Sequence, residues 1–144
     1  MKDVFKFNLL CLGDSEKLAK KIANYVRSKT FISLRGKLGV GKTTLVKYII
    51  NSISEKKIRV LSPTFSLVNI YDLKGLKIWH FDLYRLKNKS EVFDLDFDLA
   101  LADCVIVEWP EIIKDYLPAK RVDIHLNEDE NFLRTATVMI LNEN

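Results

Sequence analysis

Hydrophobic positions in this chain follow two different periods, and the switches between them mark its elements. Residues 4–10 are apolar and aromatic apart from Lys6 and Asn8, and predict a first strand. Asp14 or Ser15 then offers a helix N-cap. Leu18, Ile22, Tyr25 and Val26 fall at helical spacing on one face, with Lys17, Lys20 and Lys21 on the other. Phe31-Ile32-Ser33-Leu34 is a short apolar strand, broken by the glycines at 36, 39 and 41. A second helix follows with Leu45, Val46, Ile49 and Ile50 turned inward, and residues 58–61 predict another strand. Residues 65–71 and 76–84 are β-rich runs around Asp72-Leu73-Lys74-Gly75, which predicts an antiparallel hairpin. Ser90 looks like an N-cap for a partly helical acidic stretch at 91–102. Cys104-Val105-Ile106-Val107 has the unbroken apolarity of a strand buried in a parallel sheet. A short helix at 112–116 ends before Pro118, and residues 122–126 and 135–141 are final strands. The alternation predicts one α/β domain over residues 1–144, with a mixed parallel and antiparallel sheet flanked by helices as in P-loop NTPases.

The break after the second strand carries chemistry. Gly36-Lys37-Leu38-Gly39-Val40-Gly41-Lys42-Thr43 fits G-x-x-x-x-G-K-[ST]. Glycines let successive backbone N–H groups turn toward phosphate oxygens, and the helix that follows presents the positive end of its dipole. Lys42 brings a fixed charge to the β- and γ-phosphates, and the Thr43 hydroxyl can ligate Mg²⁺. The motif lies between a strand and an amphipathic helix, as this chemistry requires.

Such a loop needs an acidic residue to complete the Mg²⁺ shell, usually at the end of a buried strand. Glu108 stands directly after the apolar run 104–107. In His80-Phe81-Asp82-Leu83-Tyr84-Arg85, strand alternation puts His80, Asp82 and Tyr84 on one face and Phe81 and Leu83 on the other. Asp82 on such a face can position water or reach Mg²⁺ through water. A solvated strand face has the same spacing, and both readings stay open on spacing alone. Trp79, His80 and His125 read as structural.

Composition narrows the setting. The 144 residues include 48% hydrophobic and 29% charged side chains, an ordinary globular balance. No apolar run is long enough to span a membrane, and the charged start does not suit a secretory signal. Cys11 and Cys104 lie far apart without metal-like spacing, and read as two buried thiols in a reducing cytoplasm. The net charge of +4 suits either a lysine-rich soluble surface or a phosphate-rich partner such as RNA, and composition alone does not establish RNA binding.

Four segments in order give the chain a family likeness. They are Leu34-Arg35-Gly36-Lys37-Leu38-Gly39-Val40-Gly41-Lys42-Thr43-Thr44-Leu45, Ser62-Pro63-Thr64-Phe65-Ser66-Leu67-Val68-Asn69-Ile70-Tyr71, His80-Phe81-Asp82-Leu83-Tyr84-Arg85 and Ile106-Val107-Glu108-Trp109-Pro110-Glu111. Together they resemble the TsaE (YjeE) family of small ATPases. The resemblance implies ATP and Mg²⁺ as ligands and a role in making threonylcarbamoyladenosine next to the tRNA anticodon. It also implies TsaB and TsaD as partners, tRNA engaged at least indirectly, and no membrane or DNA partner. Residue by residue, it implies that Lys42 and the loop from Gly36 through Lys37, Leu38, Gly39, Val40 and Gly41 to Thr44 hold the nucleotide. Thr43 and Glu108 serve Mg²⁺, with Asp82 as catalytic aspartate and a candidate for the metal. Thr64 is a switch residue near the γ-phosphate, and Trp109 a functional aromatic. Ser15 lies near the base, and Arg134 is a further nucleotide contact. Two positions depart from the family pattern. Lys37 replaces an aspartate, which adds positive charge near the phosphates, and Asp96 replaces a glycine, which leaves that loop's conformation open.

Three rival readings are weaker. Asp72-Leu73-Lys74-Gly75 fits the D-x-x-G of GTPases, but it falls where a hairpin turn is needed, and Glu91 replaces the guanine-reading aspartate in Asn88-Lys89-Ser90-Glu91. A small-molecule kinase needs an acceptor pocket and lid for which little chain remains. A nucleotide sensor without turnover would carry the same loop. No arginine finger is evident, although Arg85 and Arg134 are available, so slow hydrolysis by the isolated chain is expected.

Overall fold

The structure, a computed structural model, describes residues 2–142. Its strands are β1 (Lys2–Leu9), β2 (Phe31–Arg35), β3 (Val68–Leu73), β4 (Leu76–Asp82), β5 (Cys104–Glu108), β6 (Arg121–Glu128) and β7 (Arg134–Leu141). The α-helices are α1 (Leu12–Ala23), α2 (Lys42–Ile53) and the single turn α3 (Phe97–Ala100), with 3₁₀ segments at Lys89–Leu95 and Pro110–Tyr116. The seven strands form one sheet in the order β1-β7-β6-β2-β5-β4-β3. The four central strands, β6, β2, β5 and β4, are parallel, and β1, β7 and β3 join antiparallel at the edges.

The period-two and period-3.6 patterns are satisfied by burial on both sides of this sheet. Leu18, Ala19 and Ile22 of α1 and Leu45, Val46, Ile49 and Ile50 of α2 pack with Ile32, Leu34, Ile78, Ile106 and Ile124 on one face. On the other face Phe31, Trp79, Phe81, Val105 and Val107 meet Val92, Phe97, Ala100 and Ile113. Phe97 lies edge-on to both Phe31 and Phe81, with centroids 6.1 and 5.8 Å apart. Every residue of β5 is buried, as its unbroken apolar run requires of a central parallel strand.

Several local expectations are corrected. Residues 58–61 form no strand. The Asn51 side chain on α2 takes over that segment's pairing, accepting from Ile58 N at 2.7 Å and donating to Ile58 O at 3.1 Å. The Tyr71 hydroxyl accepts from Leu61 N at 3.2 Å, and Val60 is buried in the core. Val60 and the half-buried Ile58 thus pack on the core while Leu61 stays exposed, and side chains bond the backbone of Ile58 and Leu61. The hairpin turn is Lys74-Gly75 alone, both at positive φ, with Leu73 paired to Leu76. Residues 65–67 stay outside β3. The N-caps also shift. α1 is capped at Cys11, with Asp14 reaching back to accept from Leu10 N at 2.8 Å. The Lys89–Leu95 segment is capped by Asn88, which forms a reciprocal box with Glu91 in place of a Ser90 cap. Cys11 is exposed; only Cys104 is buried. Tyr25 lies beyond the end of α1 and is exposed. Asp96 takes the left-handed conformation itself (φ 60°, ψ 34°), which resolves the loop its departure left open; aspartate tolerates that region better than most residues.

Candidate functional site

The C-terminal ends of β2, β4 and β5 and the N-terminus of α2 converge on one place. The loop from β2 enters at Gly36, where an added Cβ would lie 2.7 Å from Val40 Cγ1 and 2.8 Å from the Leu126 carbonyl. Only glycine allows the loop to pass so close to β6. Gly41, at φ 112°, turns the chain into α2. Lys42 is 5% exposed, and its ammonium donates to the carbonyls of Gly36 and, at 3.0 Å, Lys37. It also lies 4.0 Å from the Trp109 ring centroid. Burial lowers its pKa below the ordinary lysine value, and the nearby carboxylates of Glu108, Asp82 and Glu111 partly restore it.

Next to Lys42, the Thr43 hydroxyl lies 2.9 Å from both oxygens of Glu108. An octahedral ion with bonds of about 2.1 Å places neighbouring ligand oxygens about 3.0 Å apart, so this pair fits two adjacent Mg²⁺ ligands. Among the described residues no group of three or more His, Cys, Asp or Glu could hold a metal. An ion at Thr43 and Glu108 would thus draw its remaining oxygens from phosphate and water, as small hard cations commonly do. Asp82 pairs with Glu108 across the β4–β5 ladder and is 4% exposed. Its Oδ2 accepts from the Thr64 hydroxyl and its Oδ1 from Tyr84 N, both at 3.0 Å. From Ile78 to Asp82 neither face of β4 is solvated: Ile78 lies in the core on the α2 side, and Trp79 and Phe81 on the other. Tyr84 falls past the strand end, and its ring packs 4.8 Å from that of Trp109. Trp109 has left-handed backbone (φ 57°, ψ 57°), unusual for an aromatic residue.

A cavity of about 570 Å³ opens beside the loop, lined among others by Ser15, Gly41, Thr44, Phe132 and Arg134. Ser15 and Arg134 thus border the same space as the loop although they come from opposite ends of the chain. Lys37 turns away from the loop interior. Its ammonium lies 3.0 Å from Glu128 Oε1, while Arg134 Nε lies 3.0 Å from Glu128 Oε2. The extra positive charge expected at the phosphates is therefore already countered. Hydrogen bonds from Lys37 and then Arg134 hold the Glu128 carboxyl below its usual pKa. Arg85 lies over the Phe65 ring, 4.9 Å from its centroid.

Two residues of this site escaped the sequence reading. His80 does not merely fill space: it is wholly buried, and its Nε2 lies 2.6 Å from Glu108 Oε2. Its place on the Asp82 face was available as a signal. Glu128 had no signal, because its role depends on two cations brought to it by the fold.

A family model described as "Threonylcarbamoyl adenosine biosynthesis protein TsaE" matches residues 12–136, a span that includes the loop, Asp82, Glu108 and Arg134. The chain belongs to the TsaE family. Curated relatives carry the name "tRNA threonylcarbamoyladenosine biosynthesis protein TsaE". That of Rickettsia conorii is 34% identical, over 88% of this chain and 73% of its own length. The Aquifex aeolicus protein is 40% identical over 68% and 71% respectively. The Bacillus subtilis protein is 32% identical over 77% and 70%. The crystal structure of Bacillus subtilis YdiB superposes with a TM-score of 0.76 at 25% identity, covering 99% of this chain and 88% of YdiB. No helix among the described residues is long and apolar enough to cross a membrane.

Proposed function

We propose that this chain binds ATP with Mg²⁺, hydrolyses the β–γ bond, and does so in the synthesis of threonylcarbamoyladenosine in tRNA together with TsaB and TsaD. The observation that carries the reading is the contact of Thr43 with Glu108 directly beside Lys42 on a glycine-rich loop. The names of the relatives supply the tRNA modification; the residues supply the chemistry. The loop amides and the N-terminus of α2 bind the phosphates. Lys42 exchanges its loop carbonyls for phosphate oxygens and opposes the negative charge that develops during phosphoryl transfer. Thr43 and Glu108 would hold Mg²⁺, which would add to the neutralisation of that charge. Asp82, steadied by Thr64, orients the attacking water. Ser15 and Arg134, at the cavity beside the loop, contact the rest of the nucleotide, and Trp109 covers Lys42.

The two candidate arginines are engaged elsewhere: Arg134 is paired with Glu128, and Arg85 stacks on Phe65. A transition-state arginine can be worth about 10³–10⁵ in rate, so the isolated chain turns over slowly and a partner completes the site. Steady-state ATP hydrolysis, measured alone and then with TsaB, TsaD and tRNA, tests this. Low turnover that rises sharply on addition is the expected result. Fast turnover alone, or none in either condition, rejects the incomplete-site mechanism.

A further inference from the structure

We propose that His80 is a positioning residue that sets the metal-facing oxygen of Glu108. The proposal rests on the reading of Glu108 as a Mg²⁺ ligand and adds a residue that reading does not use. On the α2 side of the sheet, His80 interrupts an apolar surface whose neighbours Ile78 and Ile106 are fully buried. Packing alone would be served better by an aliphatic residue, because a buried imidazole has to be desolvated. His80 is 0% exposed, and among the described residues Nδ1 has no hydrogen-bond partner. Among them its hydrogen-bond contact is Nε2 to Glu108 Oε2 at 2.6 Å.

That arrangement fixes a tautomer and an orientation. A carboxylate accepts, so Nε2 carries a proton and donates, while Nδ1 is left without a partner among the described residues. The imidazole therefore bears an uncompensated polar atom for the sake of a single bond to Glu108. Oε2 is then occupied by His80 as well as lying near Thr43, whereas Oε1, among the described residues, has only Thr43 as a hydrogen-bond partner. Oε1 is the oxygen with lone pairs to spare for an ion. The imidazole holds the carboxylate plane so that Oε1 stays beside the Thr43 hydroxyl, the pair that would hold the ion. Groups that orient a metal ligand in this way typically change metal affinity by about 10–100-fold when removed.

The test compares His80→Gln, whose side-chain amide can donate near the Nε2 position, with His80→Met, of similar length but without a donor. Binding of a fluorescent ADP analogue is followed in EDTA and then across a Mg²⁺ titration. In EDTA, where Glu108 has no ion to hold, the proteins should bind the analogue alike. The Mg²⁺ concentration giving half of the metal-dependent gain should rise about 10–100-fold in His80→Met, and His80→Gln should recover most of that loss. If His80→Met does not fold, His80→Asn, whose amide reaches only the Nδ1 position, takes its place. An unshifted Mg²⁺ midpoint in the donor-less variant, or equal shifts with and without the donor, overturns the role of His80 alone. A wild-type protein whose affinity for the analogue ignores Mg²⁺ overturns the metal assignment of Glu108 and the proposal together.

Discussion

Asp82 and Glu108 are neighbours on adjacent strands, yet their surroundings separate their tasks. Both Asp82 oxygens are engaged by Thr64 and by Tyr84 N, whereas the Glu108 oxygens face Thr43 and His80. Under the proposed mechanism Asp82 acts on water more than on phosphate. Asp82→Asn can keep its amide oxygen on Tyr84 N and turn its NH2 to donate to the Thr64 hydroxyl, and should leave ADP affinity within a few-fold of wild type, while ATP hydrolysis falls by about 10²-fold or more, the usual scale for a general base or water-positioning group. Single-turnover rates beside equilibrium ADP binding separate the two effects. An equal loss in both would make Asp82 a binding residue.

Residues 54–67 show how an element's status depends on its neighbours. They carry strand-like residues, but their backbone is tied to α2 through Asn51 and to β3 through Tyr71 and Asn69. Asn51→Ala leaves the Ile58 N–H and C=O without their side-chain partner. It should cost about 1–3 kcal/mol of stability, the scale for two part-buried hydrogen bonds at about 0.5–1.5 kcal/mol each. Urea denaturation measures this, and because Thr64 belongs to the same segment, Asn51→Ala should also slow hydrolysis. The β6–β7 hairpin is joined to the phosphate loop by Glu128. Its folded pKa is lowered, so this contribution to stability is present above pH 4.5 and is lost as pH falls through the folded value. Glu128→Gln should therefore melt lower at neutral pH and lose part of the decline in melting temperature on acidification below about pH 4.5. Melting curves across that range decide it; parallel curves would mean that the ion pairs contribute nothing.

The two cysteines report on the whole molecule. Cys104 sits in the central strand β5, where burial, with the Asp103 charge adding, pushes its thiol up to about 12. Cys11 is exposed and lines the cavity beside the loop. A thiol reagent should label one cysteine in the native protein and two after unfolding. Saturating ADP with Mg²⁺ should slow labelling of Cys11 several-fold if the cavity takes the nucleotide. Equal rates with and without ADP would place the rest of the nucleotide elsewhere.

The sequence by itself determined the elements whose identity is local. The phosphate loop, its flanking strand and helix, the hairpin and the buried strand β5 could be read because glycine placement and hydrophobic period follow from backbone sterics and from which face is buried. The family likeness rested on the same short motifs. What only the tertiary structure decided was pairing across distance. Residues 58–61 lost their strand because a side chain on α2 reached their backbone first. Lys37 turned from a phosphate-facing charge into an ion-paired one because Glu128 lies within reach. His80 became a partner of Glu108 because β4 lies beside β5 in the parallel ladder. Alternation shows that a side chain shares a face with others; which carboxylate it meets depends on strand order and register, which are set by the packing of the whole sheet.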